Sequence, residues 1–398
     1  MVSTFGIEEE FLLIDPLTGL PAGSPEVMHA LHMPPRHGYT ASVELLDAQI
    51  ESSTRICTTR EEALDSLLEF RVRLAAAASA AGLAVAATGA APRILDGPAA
   101  LTRTDRYRQM GELAGGIVHE QYVNGTHIHI GIPTRDDGVR ILNGLRPWLA
   151  LLGAVGANSP YWHGRDSSFA SWRMVHYRRW SVQGCPPLFA DAADYARRLQ
   201  VLLDTDVVPD AGHVGWAARL SENFPTVEVR IADAQLEARD SLLLAAVVRG
   251  LVNTLAVTAA APAPDPELLD VGLWQAARFG LTGNLISHPA GSVPAAGHLA
   301  ALLDFIAPAL EETGDSDFVA AGAARLLAAV PPVGAGARPA AGVGTGTGTG
   351  ADAGTGTGAD AGAGTGAERQ RAAFRAGGEP GLASLFARSL TFDAGWTT

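Results

Sequence analysis

The chain has 398 residues, 47% of them hydrophobic, enough to bury a sizeable core in one large domain or two ordinary ones. Its formal net charge of −13, with no long basic run, argues against a general nucleic-acid or anionic-membrane surface; a nucleotide carrying Mg²⁺ stays compatible, because the metal supplies positive charge. The only two cysteines, Cys57 and Cys185, exclude a disulfide framework and fit a reducing, cytoplasmic setting.

In chain order, residues 5–14 predict a strand that follows the N-terminus without a basic and apolar leader pattern. Residues 41–53 predict a second, irregular strand. Thr58, with Glu61 three residues on, reads as a capping box opening a helix that runs towards Gly82. A short strand is expected over 83–88, a helix over 105–122, a strand over 124–132 and a helix over 136–155 despite Pro147. Residues 157–187, rich in aromatics and arginines without a period, read as an active-site loop region. A helix over 191–203 and an alternating strand over 225–231 follow, then helices over 239–260, 267–287, 295–312 and 317–329. The apolar stretch 241–263 carries Arg249 and Asn253, so a buried core helix is expected rather than a membrane span.

Residues 333–367 differ in kind. They hold 13 glycines in 35 positions, and the octapeptide Thr-Gly-Thr-Gly-Ala-Asp-Ala-Gly occurs twice in tandem, at 347–354 and 355–362. Such a segment cannot supply a core and is expected to be a disordered insertion. It separates a main region, 1–332, from a C-terminal helical segment, 368–398, with helices over 368–376 and 381–389.

The chemistry concentrates in four strand-like stretches. In Gly6-Ile-Glu-Glu-Glu-Phe11, alternation puts Glu8 and Glu10 on one face and Glu9 on the other. Two carboxylates on an apolar strand repel and lose hydration, a cost that a cation between them converts into a binding site. In Gly125-Thr-His-Ile-His-Ile-Gly131, His127 and His129 share a face opposite Ile128 and Ile130. In Thr226-Val-Glu-Val-Arg230, Glu228 and Arg230 share a face; taken alone, a solvated outer strand face explains them as well. In the stretch 44–51, Glu44 and Glu51 face one site only if a bulge or turn lies between them. Oxygen-rich ligation with a minority histidine favours Mg²⁺ or Mn²⁺ over Zn²⁺. Arg165, Arg173, Arg178, Arg179, Arg230, Arg369 and Arg371 form a basic set able to receive anions, with Arg173 and Arg230 in the most apolar or aromatic surroundings. Trp162, Trp172 and Trp180 read as packing residues.

These motifs, with Asn158-Ser-Pro-Tyr-Trp162, Phe169-Ala-Ser-Trp-Arg173, Arg178-Arg-Trp180, Val227-Glu-Val-Arg-Ile-Ala-Asp233 and Gly366-Ala-Glu-Arg-Gln-Arg371, resemble the YbdK-like carboxylate–amine ligases, the glutamate–cysteine ligase type 2 family. The resemblance spans about residues 4–330 and resumes over about 364–390; the long insertion at 333–362 and the Gly377-Gly378 pair depart from it. It implies kinship with glutamine synthetase and the guanidino kinases. The implied fold is α+β, a curved, mainly antiparallel sheet forming a funnel, with helices packed outside. It further implies Glu8, Glu10, Glu51 and Glu228 as metal ligands with His127, and Glu44 where a further acid occurs. Arg230 and Arg173 would hold a substrate carboxylate or the transferring phosphoryl group, and His129, Arg369 and Arg371 would support nucleotide binding. The implied reaction is ATP-dependent activation of the γ-carboxylate of L-glutamate for attack by an amine such as L-cysteine. The partners are then small molecules, without nucleic acid or membrane, and a homo-oligomer is compatible. A metal-dependent hydrolase built on the His-x-His strand, a binding protein without turnover and a guanidino-type phosphotransferase are the competing readings.

Overall fold

The computed structural model describes residues 3–32, 34–259, 264–287, 291–330 and 362–392. Strand β1 is Phe5–Ile14, as expected, and helix α1, Pro25–Leu31, follows it. The single strand expected over 41–53 is a hairpin of β2, Tyr39–Val43, and β3, Gln49–Thr54. Gln49 makes the reversal: its backbone N–H donates to the Leu46 carbonyl at 2.9 Å, and its side-chain oxygen accepts from the Leu46 N–H at 3.1 Å. No glycine or proline marks this turn, so local composition does not signal it. Helix α2, Arg60–Ala80, is capped by Thr59 with Glu62, one residue beyond the expected box, because Glu62 also takes the Thr58 N–H at 2.7 Å. Strand β4 is Ala84–Ala86.

Three expected helices are shorter than their periodicity suggests, each for a backbone reason. Helix α3, Asp105–Ala114, stops where Gly115 takes a φ of 54°, and 3₁₀ turns continue over Gly115–Glu120. Strand β5, Gly125–Gly131, follows. Residues 135–155 divide into α4, Arg135–Leu145, and α5, Leu149–Val155, across a 3₁₀ turn at Arg146–Trp148, because Pro147 has no N–H to continue the ladder. The aromatic stretch contains β6, Tyr161–Trp162, paired with β7, Arg165–Asp166, then α6, Trp172–Tyr177, and β8, Gln183–Gly184. Helix α7, Ala192–Leu203, is capped by Asp191. Strands β9, Gly215–Trp216, β10, Ala218–Leu220, and β11, Thr226–Asp233, lead into α8, Ala238–Val257. Helix α9, Pro266–Phe279, ends at Gly280 with φ 54°, and residues 284–287 form β12, Asn284–Ser287, paired with β13, Gly291–Pro294, instead of more helix.

Helices α10, Ala295–Thr313, α11, Ser316–Leu327, and α12, Gly366–Leu390, complete the described chain. The disorder expected for 333–367 falls mostly on 333–361, outside the described residues. Helix α12 begins two residues before the expected 368, with Thr365 and Glu368 closing a capping box, and its backbone leaves the helix at Gly377 and Gly378.

The architecture is α+β. A seven-stranded sheet, in the order β10-β11-β5-β1-β3-β2 with β4 beside the end of β1, pairs antiparallel throughout. Strand β1 shows how its sides are assigned. Phe5, Ile7, Phe11 and Leu13 enter the clusters packed with α2 and α8, whereas Leu12 and Ile14 join a separate cluster with Leu46, Tyr122 and Val123. Gly6, Glu8 and Glu10 lie between these apolar anchors on the second face. Helix α8 is long and apolar enough to cross a bilayer, but 72% of its apolar window is buried inside the protein, as expected of a core helix.

Glu9 points to the helix side, as alternation requires, but it is not idle there. Arg71 of α2, fully buried, donates to both Glu9 oxygens at 2.9 and 2.6 Å, and to the carbonyls of Leu236 at 2.8 Å and Gln235 at 3.0 Å. The Ser241 hydroxyl of α8 donates to the same carboxylate. One ion pair thereby ties β1, α2, the segment after β11 and the start of α8 together. Removing the cation strands a buried carboxylate, so Arg71→Met is expected to cost about 3–5 kcal/mol in urea unfolding. The double variant Glu9→Met/Arg71→Met should recover much of that loss; if it proves no more stable than Arg71→Met, the pair is not what secures β1.

Candidate functional site

The sheet register lays a row of polar groups along one face. Glu10 faces Glu51 across β1 and β3, Glu51 faces Ser42 on β2, and Glu8 faces His127 on β5. His129 in turn faces Glu228 on β11, which faces Arg219 on β10. The neighbours Ile7, Ile128 and Val229 turn to the core. The bulge required between Glu44 and Glu51 is the β2–β3 turn. The open-surface alternative for Glu228 and Arg230 does not hold, since both are buried.

Glu8, Glu51 and His127 present ligand atoms within 4.8 Å of one another. His127 Nδ1 lies 3.1 Å from Glu8 Oε2, and Glu8 Oε1 lies 3.3 Å from His129 Nε2. Burial pushes Glu8 up, but the hydrogen bonds to both imidazoles outweigh it and hold the carboxyl below the usual range. Burial and the Arg230 charge depress His127 to about 4, so its ring is neutral at pH 7. An ionised Glu8 can only accept, so Nδ1 carries the proton and Nε2 presents a lone pair. That Nε2 is buried without a hydrogen-bond partner, 3.7 Å from Glu10 Oε1. Burial followed by the Glu44 charge raises Glu10 to about 7, and burial with the charges of Glu44, Glu8 and Glu10 raises Glu51 well above the ordinary range. Burial works against His129, yet the carboxylates of Glu8 and Glu228 lift it above the usual histidine value. A bare imidazole nitrogen beside crowded carboxylates is a donor set suited to a hard divalent cation, so the residues fit Mg²⁺ or Mn²⁺.

Cations border the row. Arg219 chelates Glu228 at 2.8 and 3.2 Å, and Arg230 Nη1 lies 3.2 Å from the same carboxylate. Burial opposes ionisation of Glu228, but Arg230 and Arg219 hold it down to about 2. Arg230 Nη2 donates to the Tyr177 hydroxyl at 3.0 Å. Arg173 donates to the carbonyls of Ile231 and Arg230, each at 3.2 Å, and lies over the Tyr177 ring at 4.9 Å. Gly125 makes room for it, because a Cβ there would stand 2.4 Å from Arg173 Nη2. Asp233 holds the other side of this corner: it accepts from Asn158 N–H and Ser159 Oγ at 2.7 Å and from Ser171 Oγ at 2.8 Å, and Ser159 Oγ in turn accepts the Arg173 N–H at 3.1 Å.

A cavity of about 110 Å³ opens over Glu10 and Arg230, with Arg106, Tyr107, Gln121 and His213 among its walls. Glu44 lines it from the β2–β3 turn, its carboxylate accepting from the Tyr107 hydroxyl at 2.8 Å. Arg369 and Arg371 are not brought to this face. Arg369 is buried between Glu237 and Asp240, and Arg371 binds Asp166 at 2.8 and 2.9 Å and the Phe169 carbonyl at 2.9 Å. Their guanidinium groups tie α12 to α8 and to β7, away from the row of carboxylates. Trp162 and Trp172 pack on His176 and Trp180 packs edge-on against His213, as expected, and Trp180 also lines the cavity. Sequence reasoning passed over Arg219, Tyr177 and Gln183. Arg219 carried a signal, the apolar-charged-apolar alternation Ala218-Arg219-Leu220; the other two sit in the stretch without a period.

Fold and site together fit a ligase type of enzyme, with carboxylates, imidazoles and guanidinium groups gathered on one face of an antiparallel sheet. The comparisons agree. Residues 4–328 match glutamate–cysteine ligase family 2, and the chain belongs to that family of carboxylate–amine ligases. A protein of Nocardia farcinica (strain IFM 10152) named "Putative glutamate--cysteine ligase 2-1" is 39% identical over 330 residues, 82% of this chain and 85% of that one. One of Mycobacterium sp. (strain KMS) named "Putative glutamate--cysteine ligase 2-2" is 37% identical over 333 residues, 81% and 90% of the two chains. In fold, the chain is similar to a glutamate–cysteine ligase from Francisella tularensis in complex with AMP, with a TM-score of 0.64 at 11% identity, covering 99% of this chain and 90% of that one. It is also similar to a bifunctional glutathione synthetase from Pasteurella multocida, with a TM-score of 0.65 at 12% identity, covering 98% and 52%.

The crowded carboxylates would give any cation held among them a pH signature. With its carboxyl raised from 4.5 to about 7, Glu10 keeps a proton in the folded protein that the unfolded chain has already lost, so without a divalent cation its contribution to stability falls as pH rises across that window. A bound cation must displace this proton, so affinity weakens as pH falls below 7. The Mg²⁺-induced rise in Tm should therefore be larger at pH 8 than at pH 6, and Glu10→Gln should flatten the difference. A Mg²⁺ effect that is identical at both pH values in the unmodified protein would remove Glu10 from the ligand set.

Proposed function

We propose that the protein is an ATP-dependent, ADP-forming ligase that joins the γ-carboxylate of L-glutamate to an amine. The observation that carries this reading is the single sheet face on which Glu8, Glu10, Glu51, His127 and Glu228 stand beside the buried Arg230. A carboxylate and a nucleotide polyphosphate repel each other in water, and a site that joins them must offset that repulsion before any bond forms. Glu8, Glu51 and His127, with Glu10 and Glu228, would hold Mg²⁺, which when bound neutralises phosphate and carboxylate oxygens.

The chain's own groups do the rest. Arg230 and Arg173 hold the glutamate carboxylate or the transferring phosphoryl group. His127, neutral at pH 7, would hold the cation through its Nε2 lone pair, and His129 bridges Thr226, at 3.0 Å, and Glu8, keeping that carboxylate in place. The cavity over Glu10 and Glu44 is the seat of glutamate. A γ-carboxylate oxygen attacks the γ-phosphorus of ATP as the bond to ADP breaks, leaving an acyl phosphate. The amine nitrogen then bonds to the acyl carbon, the carbon–oxygen bond to phosphate breaks with its electron pair, and one amine proton passes to phosphate or solvent. Positioning and charge carry both steps, so no general base is assigned. Cysteine, the acceptor in the family's name, is the reference amine.

Purified protein with ATP, Mg²⁺, L-glutamate and a panel of amines should release ADP in step with a product of γ-glutamyl amide mass. In Glu10→Gln the rate should fall by at least about 100-fold, as for loss of an electrostatic catalytic contact, while the circular-dichroism spectrum stays unchanged. Equal ADP release by that variant would sink the role given to Glu10. Cleavage of an amide without nucleotide would instead favour a hydrolase.

A further inference from the structure

A second cavity, about 260 Å³, lies between α6, α9 and the irregular stretch of β11 after Val229. It shares Tyr177, Gln183 and Arg230 with the cavity over Glu10, so the Tyr177–Arg230 hydrogen bond stands as a partition between the two. The walls of this second space are mostly apolar: Met174, Ala217, Ile231, Leu273, Trp274 and Ala277. Its polar groups gather at the partition and the mouth. Gln183 Oε1 and Arg173 Nε are buried there without a hydrogen-bond partner. At the mouth, Arg178 pairs with Asp270 at 3.2 Å, both roughly half exposed, a contact that a ligand carboxylate can replace at little cost.

Three reactants must converge on one carboxyl carbon. Glutamate occupies the cavity over Glu10, and the polyphosphate must reach the Glu8–His127–Glu228 row. The amine therefore needs a separate approach, and the apolar space across the partition supplies it. Its size sets the class of side chain. A –CH₂–SH group has two heavy atoms and would leave most of about 260 Å³ to water, whereas liquid water occupies only about 30 Å³ per molecule. Apolar walls reward a side chain that displaces that water.

We propose that this cavity receives the amine substrate, and that the amine is an α-amino acid with a bulky apolar side chain. Its side chain lies among Met174, Leu273 and Trp274, its carboxylate meets Arg178, and its amino group donates to Gln183 Oε1 beside the partition. The assignment rests on the ligase reading above and narrows its acceptor.

The test follows ADP and product mass with ATP, Mg²⁺, L-glutamate and, in turn, L-leucine, L-phenylalanine, L-cysteine, L-alanine and glycine. The expected kcat/KM for leucine or phenylalanine exceeds that for alanine by on the order of 10- to 100-fold, the range that a few methylenes in an apolar pocket provide. Ala277→Leu, which fills the space, should raise KM for the large acceptors by a similar factor and leave KM for ATP and glutamate unchanged. Tryptophan emission supplies a readout independent of turnover: L-leucine should shift it saturably, and Trp274→Phe should abolish the shift. A preference for cysteine or glycine, with no emission response to leucine, overturns this assignment and leaves the ligase reading standing. A rise in KM for ATP in Ala277→Leu overturns it in favour of a nucleotide pocket. No ADP release with any acceptor, in protein that still shows the leucine-dependent shift, overturns the ligase reading while supporting the cavity's ligand.

Discussion

Like charges forced onto one face of a buried strand are the constraint around which this protein is built. Glu8 and Glu10 of β1 meet Glu51 from β3, and Glu44 adds its field from the adjoining turn. Such crowding destabilises a fold unless something opposes it. Opposition comes unevenly: two imidazoles flank Glu8, two guanidinium groups flank Glu228, and burial with neighbouring carboxylates leaves Glu10 and Glu51 raised above the ordinary carboxyl range. The deficit of positive charge is therefore greatest around Glu10 and Glu51, the position proposed for the cation.

The scaffold tolerates this face because the other side of the same strand is over-determined. Arg71 satisfies Glu9 and two backbone carbonyls, and the surrounding apolar clusters fix the register of β1 against β3 and β5. A one-residue slip would exchange the two faces and place Glu9 at the site and Glu8 in the core. The corner bearing Arg173 is held in the same manner, by a buried aspartate, Asp233, whose acceptors are filled by Asn158, Ser159 and Ser171. Arg71 and Asp233, both off the row of carboxylates, thus set where its members stand.

Much of this was legible from one dimension. Alternation alone separates Glu9 from Glu8 and Glu10, and pairs His127 with His129 and Glu228 with Arg230. Elements whose ends carry strong signals, such as the Thr59–Glu62 cap or the glycine pair in α12, fall within a residue or two of expectation. What misled was periodicity running on past a break. Helical patterns crossed Gly115, Pro147 and Gly280, where the backbone ends the helix whatever the side chains prefer. The partners of Arg369 and Arg371 had no local signal: Glu237, Asp240 and Asp166, which pair with them, lie more than 100 residues away in the chain.

The sequence by itself determined which residues could share a face, since the side-chain period of a strand is a local property, and its motifs carried the family. Only the tertiary structure decided which faces meet. Glu10 opposite Glu51, Glu8 opposite His127 and Glu228 between Arg219 and His129 depend on strand order and register, which are set by long-range packing of Ile7, Ile128 and Val229 rather than by any local signal. The two cavities that meet at Tyr177, Gln183 and Arg230 were likewise invisible in advance. They arise where a helix, a two-residue strand and the bulged end of β11 pack against one another, and a void between elements has no pattern within any one of them.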